Sequence, residues 1–184
     1  NIASTVQTLG AGNGWFFCIK SGVLQFGQKT SFGWFVTGSH VINNNTWYHV
    51  AVSGTLGSYK MFVNGVQSGP TLTRTDLNFN SSNNLWIGQL YNDSGVSAFR
   101  GYMSNLRIIN GKALYTSDFN HTLSAAVPLQ NITESGVSTE LLMFQDPTPI
   151  NNGNPYNTFV VTGYPSTATL DVVLPVNGPV QTWR

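Results

Sequence analysis

The stretch NTWYHVAVSGTLGSYKMFVNGVQSG, residues 45–69, decides how this chain folds. Residues 47–53 alternate between two faces, as the side chains of a β-strand do, and residues 59–63 have the composition of a returning strand. Asn64 and Gly65 follow that second strand, and this pair favours a type I′ turn because both residues accept a positive φ. The stretch therefore predicts antiparallel strands joined by tight turns.

The rest of the chain repeats this pattern of short strands and turn residues. Ser21 and Gly22 predict a second tight hairpin, and residues 111–118 predict a single helical turn. Further strands are predicted at residues 15–20, 23–26, 32–37, 85–88, 99–109 and 141–144. Short strands without helical periodicity are typical of an all-β fold, here an antiparallel β-sandwich.

The chain carries few charges: eight Lys and Arg, seven Asp and Glu, and a formal net charge of +1. Nucleic acids and anionic membranes bind a dense basic face, which eight scattered cations cannot form. No apolar run reaches the ~18–20 residues that a membrane-spanning helix needs. We therefore expect no nucleic-acid partner and no membrane insertion. The single cysteine, Cys18, lies among apolar residues and is expected to be a buried, unreactive thiol.

The composition changes after Asp146, which predicts a sandwich at residues 1–146 and an extension at residues 147–184. The extension holds six of the eight prolines and only two charged residues, and its one predicted strand lies at residues 167–174. It is expected to be either a strand laid onto the sandwich or an extended arm that reaches a neighbouring subunit of a homo-oligomer. Because prolines prevent a long regular strand, they favour the arm.

The sequence offers no arrangement suited to catalysis. Hydrolysis of a glycosidic bond uses two carboxylates about 5–10 Å apart, whereas Glu134 and Glu140 flank a glycine-containing loop that fixes geometry poorly. The three histidines, His40, His49 and His121, lack the spacing of metal ligands. His49 alternates within a predicted strand, which favours a packed imidazole. We expect that the protein is not an enzyme.

Binding of a sugar is better supported by the composition, because 12% of the residues are aromatic and amide and hydroxyl side chains are abundant. Trp86 is the leading ligand-binding candidate: Leu85 and Ile87 share one face of their strand and Trp86 takes the other. Packing of Trp86 in the core is an equally weighted alternative. Trp47 begins a regular strand and is expected in the core.

The loop after this strand supplies Tyr91, Asn92 and Asp93 as further candidate ligand-binding residues. Their oxygen atoms suit a calcium ion, with Asp93 as the carboxylate ligand. One carboxylate alone binds a hard cation weakly, so the sequence predicts no cofactor beyond this candidate calcium ion.

Two blocks resemble the laminin G-like branch of the concanavalin A-like lectin/glucanase superfamily. The first resembles its Trp-x-His-Val-Ala strand and Val-Asn-Gly turn at Trp47, His49, Val50, Ala51, Val63, Asn64 and Gly65. The second lies at residues 85–119 and resembles its Gly-x-x-Ser-Asn-Leu-Arg-Ile segment at Gly101, Ser104, Asn105, Leu106, Arg107 and Ile108. The segment TELLMFQD resembles the closing strand. The resemblance covers residues 15–146 and implies a concanavalin A-like jelly roll.

The extended segment SNLRIINGKALYTSDF is similar to domains of bacteriophage virion proteins. The superfamily's catalytic Glu-x-Asp-x-x-Glu signature is absent, so the resemblance implies no hydrolase activity. The family's opening strand has no counterpart before Asn1, and it is expected to lie outside this sequence or to come from another chain.

These observations favour a non-enzymatic virion structural protein, a capsid decoration or a tail or fibre component, located at the virion surface. Residues 147–184 would attach it to other virion subunits, and its lectin-like sandwich would bind surface glycans. The alternative is a carbohydrate-binding module of a larger bacterial protein that is secreted or held at the cell surface. A glucanase-like enzyme is a third, disfavoured hypothesis.

Overall fold

A computed structural model describes most of the first 143 residues and two short strands near the C-terminus. The described residues are 1–5, 14–29, 34–55, 57–75, 85–89, 98–121, 135–143, 171–173 and 180–182. They contain strands and no helix, which confirms the predicted all-β class. No helix that could cross a membrane occurs in this part of the chain.

The described strands are β1 Ala3–Ser4, β2 Gly14–Lys20, β3 Val23–Lys29, β4 Trp34–Thr37, β5 Val50–Thr55, β6 Ser58–Val63, β7 Val66–Gln67, β8 Trp86–Ile87, β9 Tyr102–Met103, β10 Leu106–Asn110, β11 Ser138–Met143, β12 Asp171–Val173 and β13 Val180–Thr182. They pair in four antiparallel sheets, ordered β4-β3-β2-β1-β8, β5-β6-β7, β10-β11 and β12-β13-β9. The chain divides into two compact units. The first contains Asn1–Phe99 and Ala113–Asn120, and the second contains Arg100–Lys112 and His121–Arg184.

Both predicted tight hairpins are confirmed. Ser21 and Gly22 join β2 to β3 with φ of 52° and 77°, and Asn64 and Gly65 join β6 to β7 with φ of 49° and 80°. Positive φ at both central residues is the type I′ geometry, whose twist matches that of the flanking strands. These local signals therefore set the register of two strand pairs.

The first unit is a sandwich of the five-stranded sheet and the three-stranded sheet β5-β6-β7. Phe26 of β3 and Tyr59 of β6 meet across it, with their ring centroids 6.0 Å apart. Leu24 shares the inner face with Phe26, and Met61 shares the inner face with Tyr59; both are 0% exposed. This apolar layer between two sheets is the core of the unit and confirms the predicted antiparallel β-sandwich.

The segment Ala113–Asn120, which we call the strap, covers the other face of β6. Tyr115 and Phe119 stack on each other with centroids 3.8 Å apart, and both rings contact the edge or face of Phe62 at 6.1 and 5.4 Å. The His49 ring also packs on Phe119, at 5.5 Å and 81°. His49 is therefore a packed, half-buried imidazole, as its position in the sequence suggested.

The helical turn predicted at residues 111–118 is wrong, because this segment bonds to the sheet instead of to itself. The backbone N–H of Tyr115 donates to Ser53 Oγ at 3.0 Å. Lys60 Nζ donates to the carbonyl oxygen of Thr116 at 2.7 Å. A helical turn would use these backbone groups internally, whereas the sheet offers partners and an apolar surface at the same time.

The strand predicted at residues 47–53 begins only at Val50, and the expectation that Trp47 lies in the core is wrong. Trp47 precedes the strand and is 54% exposed. The backbone N–H of His49 donates to Asn64 Oδ1 at 2.9 Å, and the N–H of Asn64 donates to the carbonyl of His49 at 2.8 Å. The chain just before β5 is thus held by the hairpin turn and not by strand pairing.

The second unit contains the β10–β11 pair and the sheet β12-β13-β9. Residues 99–109, where the sequence predicts one or two strands, contain β9 and most of β10, and β11 begins three residues before the predicted 141–144. The strand predicted at 167–174 contains β12, which forms a hairpin with β13, and β13 pairs with β9 through Gln181 opposite Met103. The described parts of residues 147–184 thus add strands to a sheet, and attachment of this extension to another subunit stays a prediction.

Candidate functional site

The register of the five-stranded sheet places one residue from each strand on a single line across its outer face. Trp86 pairs with Ser4, Ser4 with Phe16, Phe16 with Gly27, and Gly27 with Phe35. Directly paired residues of antiparallel strands point to the same side of a sheet. We call these five residues the aromatic row. They lie on the side opposite to the inner face.

Small and aromatic residues alternate along the aromatic row. The rings of Phe16 and Phe35 have centroids 6.4 Å apart and are tilted by 53°. Their strands are separated by β3, which would place their backbones about 10 Å apart. Gly27 lies between them without a side chain, so the two rings lean together above it. Gly27 thereby creates a joint aromatic surface from two strands that are not neighbours.

The other small residue, Ser4, joins β1 to the terminal strand of the sheet. Ser4 is 0% exposed, and its Oγ accepts a hydrogen bond from Asn1 Nδ2 at 3.0 Å. The same Asn1 amide donates to the carbonyl oxygen of Gln89 at 2.9 Å, just after β8. These bonds fix β1 against β8, and they hold Trp86 in place opposite Ser4.

The aromatic row is partly open to solvent. Phe35 is 51% exposed, and Phe16 and Trp86 are half-buried. Along the same face, Gln25 Nε2 donates to Thr37 Oγ1 at 3.3 Å. Aromatic rings beside an amide and a hydroxyl are the groups that bind the apolar face and the hydroxyls of a sugar.

Trp86 and Ile87 lie on opposite faces of their strand, as the sequence predicted. Ile87 pairs with Ala3 toward the inner face, and Trp86 takes the opposite side. Trp86 therefore lies outside the core between the sheets, where it is half-buried and its indole nitrogen is buried, and its part in ligand binding stays a prediction. Tyr91, Asn92 and Asp93 lie outside the described residues, so their part in ligand binding and the calcium site at Asp93 stay predictions. Among the described residues, no three His, Cys, Asp or Glu side chains form a group that could hold a metal ion.

The sequence pattern did not indicate Phe16 or Phe35 as site residues. Each belongs to a run of apolar residues in which both faces of the strand look alike, as in WFFCIK and FGWFVT. Alternation alone does not say which face of such a run is inner. The buried Phe17, next to Phe16, could have indicated the outer face only once its partner strand was known.

Cys18 lies on the outer face of the same sheet, opposite Gln25, and is a free, half-buried cysteine. Burial raises the pKa of the Cys18 thiol, and Lys20 lowers it to a smaller extent. The reactive species of cysteine is the thiolate. The thiol should therefore stay mostly protonated at neutral pH, although Cys18 is half-buried where the sequence predicted a buried residue.

Alkylation by iodoacetamide tests this expectation. In the folded protein, Cys18 should react more slowly at neutral pH than in the urea-unfolded chain, and its rate should rise only above the usual pKa range of a thiol, because the folded-state pKa is raised. Mass spectrometry of timed samples gives both rates. Equal rates in the folded and unfolded chains at neutral pH would contradict the burial of this thiol.

Carboxylates are scarce near the aromatic row. Within the described residues of the first unit, Asp118 is the one carboxylate. Its Oδ1 accepts a hydrogen bond from the backbone N–H of Gln67 at 2.8 Å, at the edge strand β7. Asp118 thus serves to dock the strap on the three-stranded sheet, and the aromatic row itself has no acidic member.

Comparison with protein families agrees with this architecture. Residues 2–118 match the family model described as the concanavalin A-like lectin/glucanases superfamily. The chain belongs to this superfamily. The matched residues of the superfamily domain include both sheets of the first unit, all five members of the aromatic row and the first six residues of the strap. No curated protein and no solved structure matches this superfamily member.

Proposed function

We propose that this protein is a non-enzymatic glycan-binding protein whose ligand lies across the aromatic row. The observation that carries the proposal is the register that aligns Trp86, Phe16 and Phe35 on one outer face. Membership of a lectin/glucanase superfamily supports binding of carbohydrate, although one fold can serve several functions. Superfamily membership does not identify a binding site, whereas the aromatic side chains of the row supply a surface on which sugar rings can stack.

The spacing within the row suits a chain of several sugars better than a single one. Trp86 and Phe16 stand two strands apart, about 10 Å between their backbones. Phe35 extends the Phe16 surface toward the edge of the sheet, where it is 51% exposed. A glycan that runs across the strands would therefore stack on Trp86 at one end and on the Phe16–Phe35 pair at the other.

The proposal includes that the protein does not hydrolyse the glycan that it binds. Glycoside hydrolysis uses an acid and a second carboxylate on either side of the scissile bond. In the described part of the first unit the one carboxylate, Asp118, is bonded to the backbone of β7. This supports a binding role. We expect no release of reducing sugar when the protein is incubated with glucans.

Alanine variants at the two ends of the row test the proposal on an array of neutral oligosaccharides. Trp86→Ala and Phe35→Ala should each weaken binding about tenfold, since an aromatic contact contributes roughly 0.5–1.5 kcal/mol beyond its buried area and 1.4 kcal/mol is a factor of ten. Isothermal titration with the best array ligand gives the affinities. Circular dichroism checks that each variant is folded.

Val66→Ala is the matched control, because Val66 is an exposed apolar residue (45%) on β7, in the other sheet. This variant should bind like the wild type. The proposal fails if the wild type binds no oligosaccharide on the array, or if both row variants keep wild-type affinity.

We further propose that this glycan-binding protein is a virion component, either a capsid decoration or part of a tail or fibre. The resemblance of residues 104–119 to virion proteins supports this role. A second support is that β13 adds to β9 as an extra strand, since a strand that completes a sheet within one chain can also complete it in a neighbouring subunit. The alternative is a module of a secreted bacterial protein.

Deletion of residues 147–184 tests the attachment. The truncated chain should lose incorporation into particles and self-association, measured by light scattering and particle sedimentation, while keeping glycan binding. Unchanged incorporation would contradict the role of the extension. A full chain that remains monomeric and binds glycans without any particle would favour the secreted module instead.

A further inference from the structure

The loop that connects β4 to β5, residues 38–49, exposes an aromatic ring in a polar surrounding. Trp47 is 54% exposed. The four residues before it are all exposed: Asn43, Asn44, Asn45 and Thr46. Because this loop links one sheet of the sandwich to the other, it lies at the rim of the sandwich, whereas the aromatic row crosses a sheet face. We call residues 39–48 the Trp47 loop.

Hydrogen bonds to buried groups hold the first half of the Trp47 loop. Ser68 is 0% exposed, and its Oγ accepts from the backbone N–H groups of Ser39 and His40, both at 3.0 Å. The N–H of Ile42 donates to the carbonyl oxygen of Gly22 at 2.7 Å, in the β2–β3 turn. This half of the loop is therefore held by the β2–β3 turn and by Ser68, which directly follows β7.

The second half of the loop closes on itself. The backbone N–H and the Nδ2 of Asn43 both donate to the hydroxyl oxygen of Tyr48 at 3.3 Å. Asn45 adopts a left-handed conformation with φ of 58°, and Thr46 Oγ1 donates to the carbonyl oxygen of Asn44 at 3.4 Å. A loop fixed in this way loses little conformational entropy when a ligand binds.

The chemistry of the loop selects a neutral ligand rich in hydroxyls. Residues 30–59 contain no Asp, Glu, Lys or Arg. An exposed indole provides a surface for the C–H face of a sugar ring, and the neighbouring amides both donate to and accept from hydroxyls. A protein partner would bury a larger apolar centre surrounded by a polar rim. We propose that the Trp47 loop is a second glycan-binding site, which takes one sugar residue of a neutral glycan.

The loop follows the end of β4, whereas the aromatic row crosses β4 at Phe35, so the loop would give the chain a second point of contact with a glycan-coated surface. Two linked sites raise the overall affinity for a multivalent surface far above that of either site, because the second contact forms within the complex. A second site at the Trp47 loop would extend the proposed glycan-binding function. This inference depends on the proposed function only in the class of ligand, a glycan.

Nuclear magnetic resonance of the full chain can test the two sites one by one. The probes are the methyl glycosides of glucose, galactose, mannose and N-acetylglucosamine. At least one of them should shift the indole N–H resonance of Trp47 in a saturable manner. This shift should persist in Trp86→Ala. In Trp47→Ala, the backbone amide resonances of the loop should no longer shift when the glycoside is added. Asn44→Ala should weaken the affinity for the glycoside about tenfold, while Val66→Ala, on β7 and outside the loop, should leave that affinity unchanged.

The outcomes separate the two proposals. If none of the four glycosides shifts the Trp47 loop, this inference is overturned, even where the aromatic row binds oligosaccharides. If the loop shifts in the wild type and not in Trp86→Ala, the two sites are one, and the inference is also overturned. If the loop resonances shift with protein concentration and not with glycoside concentration, the loop is a contact between copies of this chain. That result contradicts a glycan site.

Discussion

Replacing Phe62 with alanine should lower the free energy of unfolding by about 3–5 kcal/mol, the range for loss of a fully buried aromatic side chain. Phe62 is 0% exposed and lies between β6 and the strap. Its ring contacts Tyr115 at 6.1 Å and Phe119 at 5.4 Å. The cavity would form beneath both strap rings at once, so the strap would lose its apolar contact with the sheet.

Urea unfolding followed by tryptophan fluorescence measures this effect. Val66→Ala is the control on the neighbouring strand; because Val66 is 45% exposed, it should change stability by less than about 0.5 kcal/mol. A double-mutant cycle of Phe62→Ala with Phe119→Ala should be non-additive, since the two rings are in contact. A loss below about 1 kcal/mol for Phe62→Ala would mean that the strap does not seal this face.

Leu24→Ala should lower the free energy of unfolding by about 2–5 kcal/mol, because Leu24 is 0% exposed on the inner face of β3. Its carbonyl oxygen also accepts from the N–H of Gly38 at 2.7 Å, where the chain leaves β4. The side chain lies close to this exit: a Cβ at Gly38 would be 3.5 Å from the Leu24 Cβ. Loss of the side chain thus weakens both the core and the base of the Trp47 loop.

Thermal unfolding measures the loss of stability in Leu24→Ala, and Leu85→Ala is the matched control. Leu85 is 37% exposed, so its truncation should cost much less than that of Leu24. If both leucine variants unfold at the same temperature, the two sheets do not share the core described above. The folded fraction of Leu24→Ala should still bind glycans at the aromatic row, since Leu24 lies on the inner face of the sheet and the row lies on the outer face.

Local residue chemistry determined much of the fold. The pairs Ser21-Gly22 and Asn64-Gly65 adopt the positive φ values that tight hairpins need, and no distant contact is required for that preference. The alternation of Leu85, Trp86 and Ile87 also predicted that Trp86 and Ile87 lie on opposite faces, without deciding which face is the inner one. Such features are correct because they depend on residues close together in the chain.

The failures have the opposite cause. The strap was predicted as a helical turn, yet Tyr115 and Phe119 bury their rings on Phe62, more than fifty residues earlier in the chain. Trp47 was predicted in the core because its strand was taken to begin there, whereas bonds from His49 to Asn64 hold that segment outside the strand. Partners that are distant in sequence decided both outcomes.

The sequence by itself determined that this chain forms short antiparallel strands with tight turns and belongs among sandwich folds, because turn preference and side-chain alternation are local properties. Only the tertiary structure decided that Trp86, Phe16 and Phe35 share one line across a sheet and that Trp47 points to solvent. Both depend on the register between strands and on what covers each face. Register is set by packing of the whole unit, and no single strand contains it.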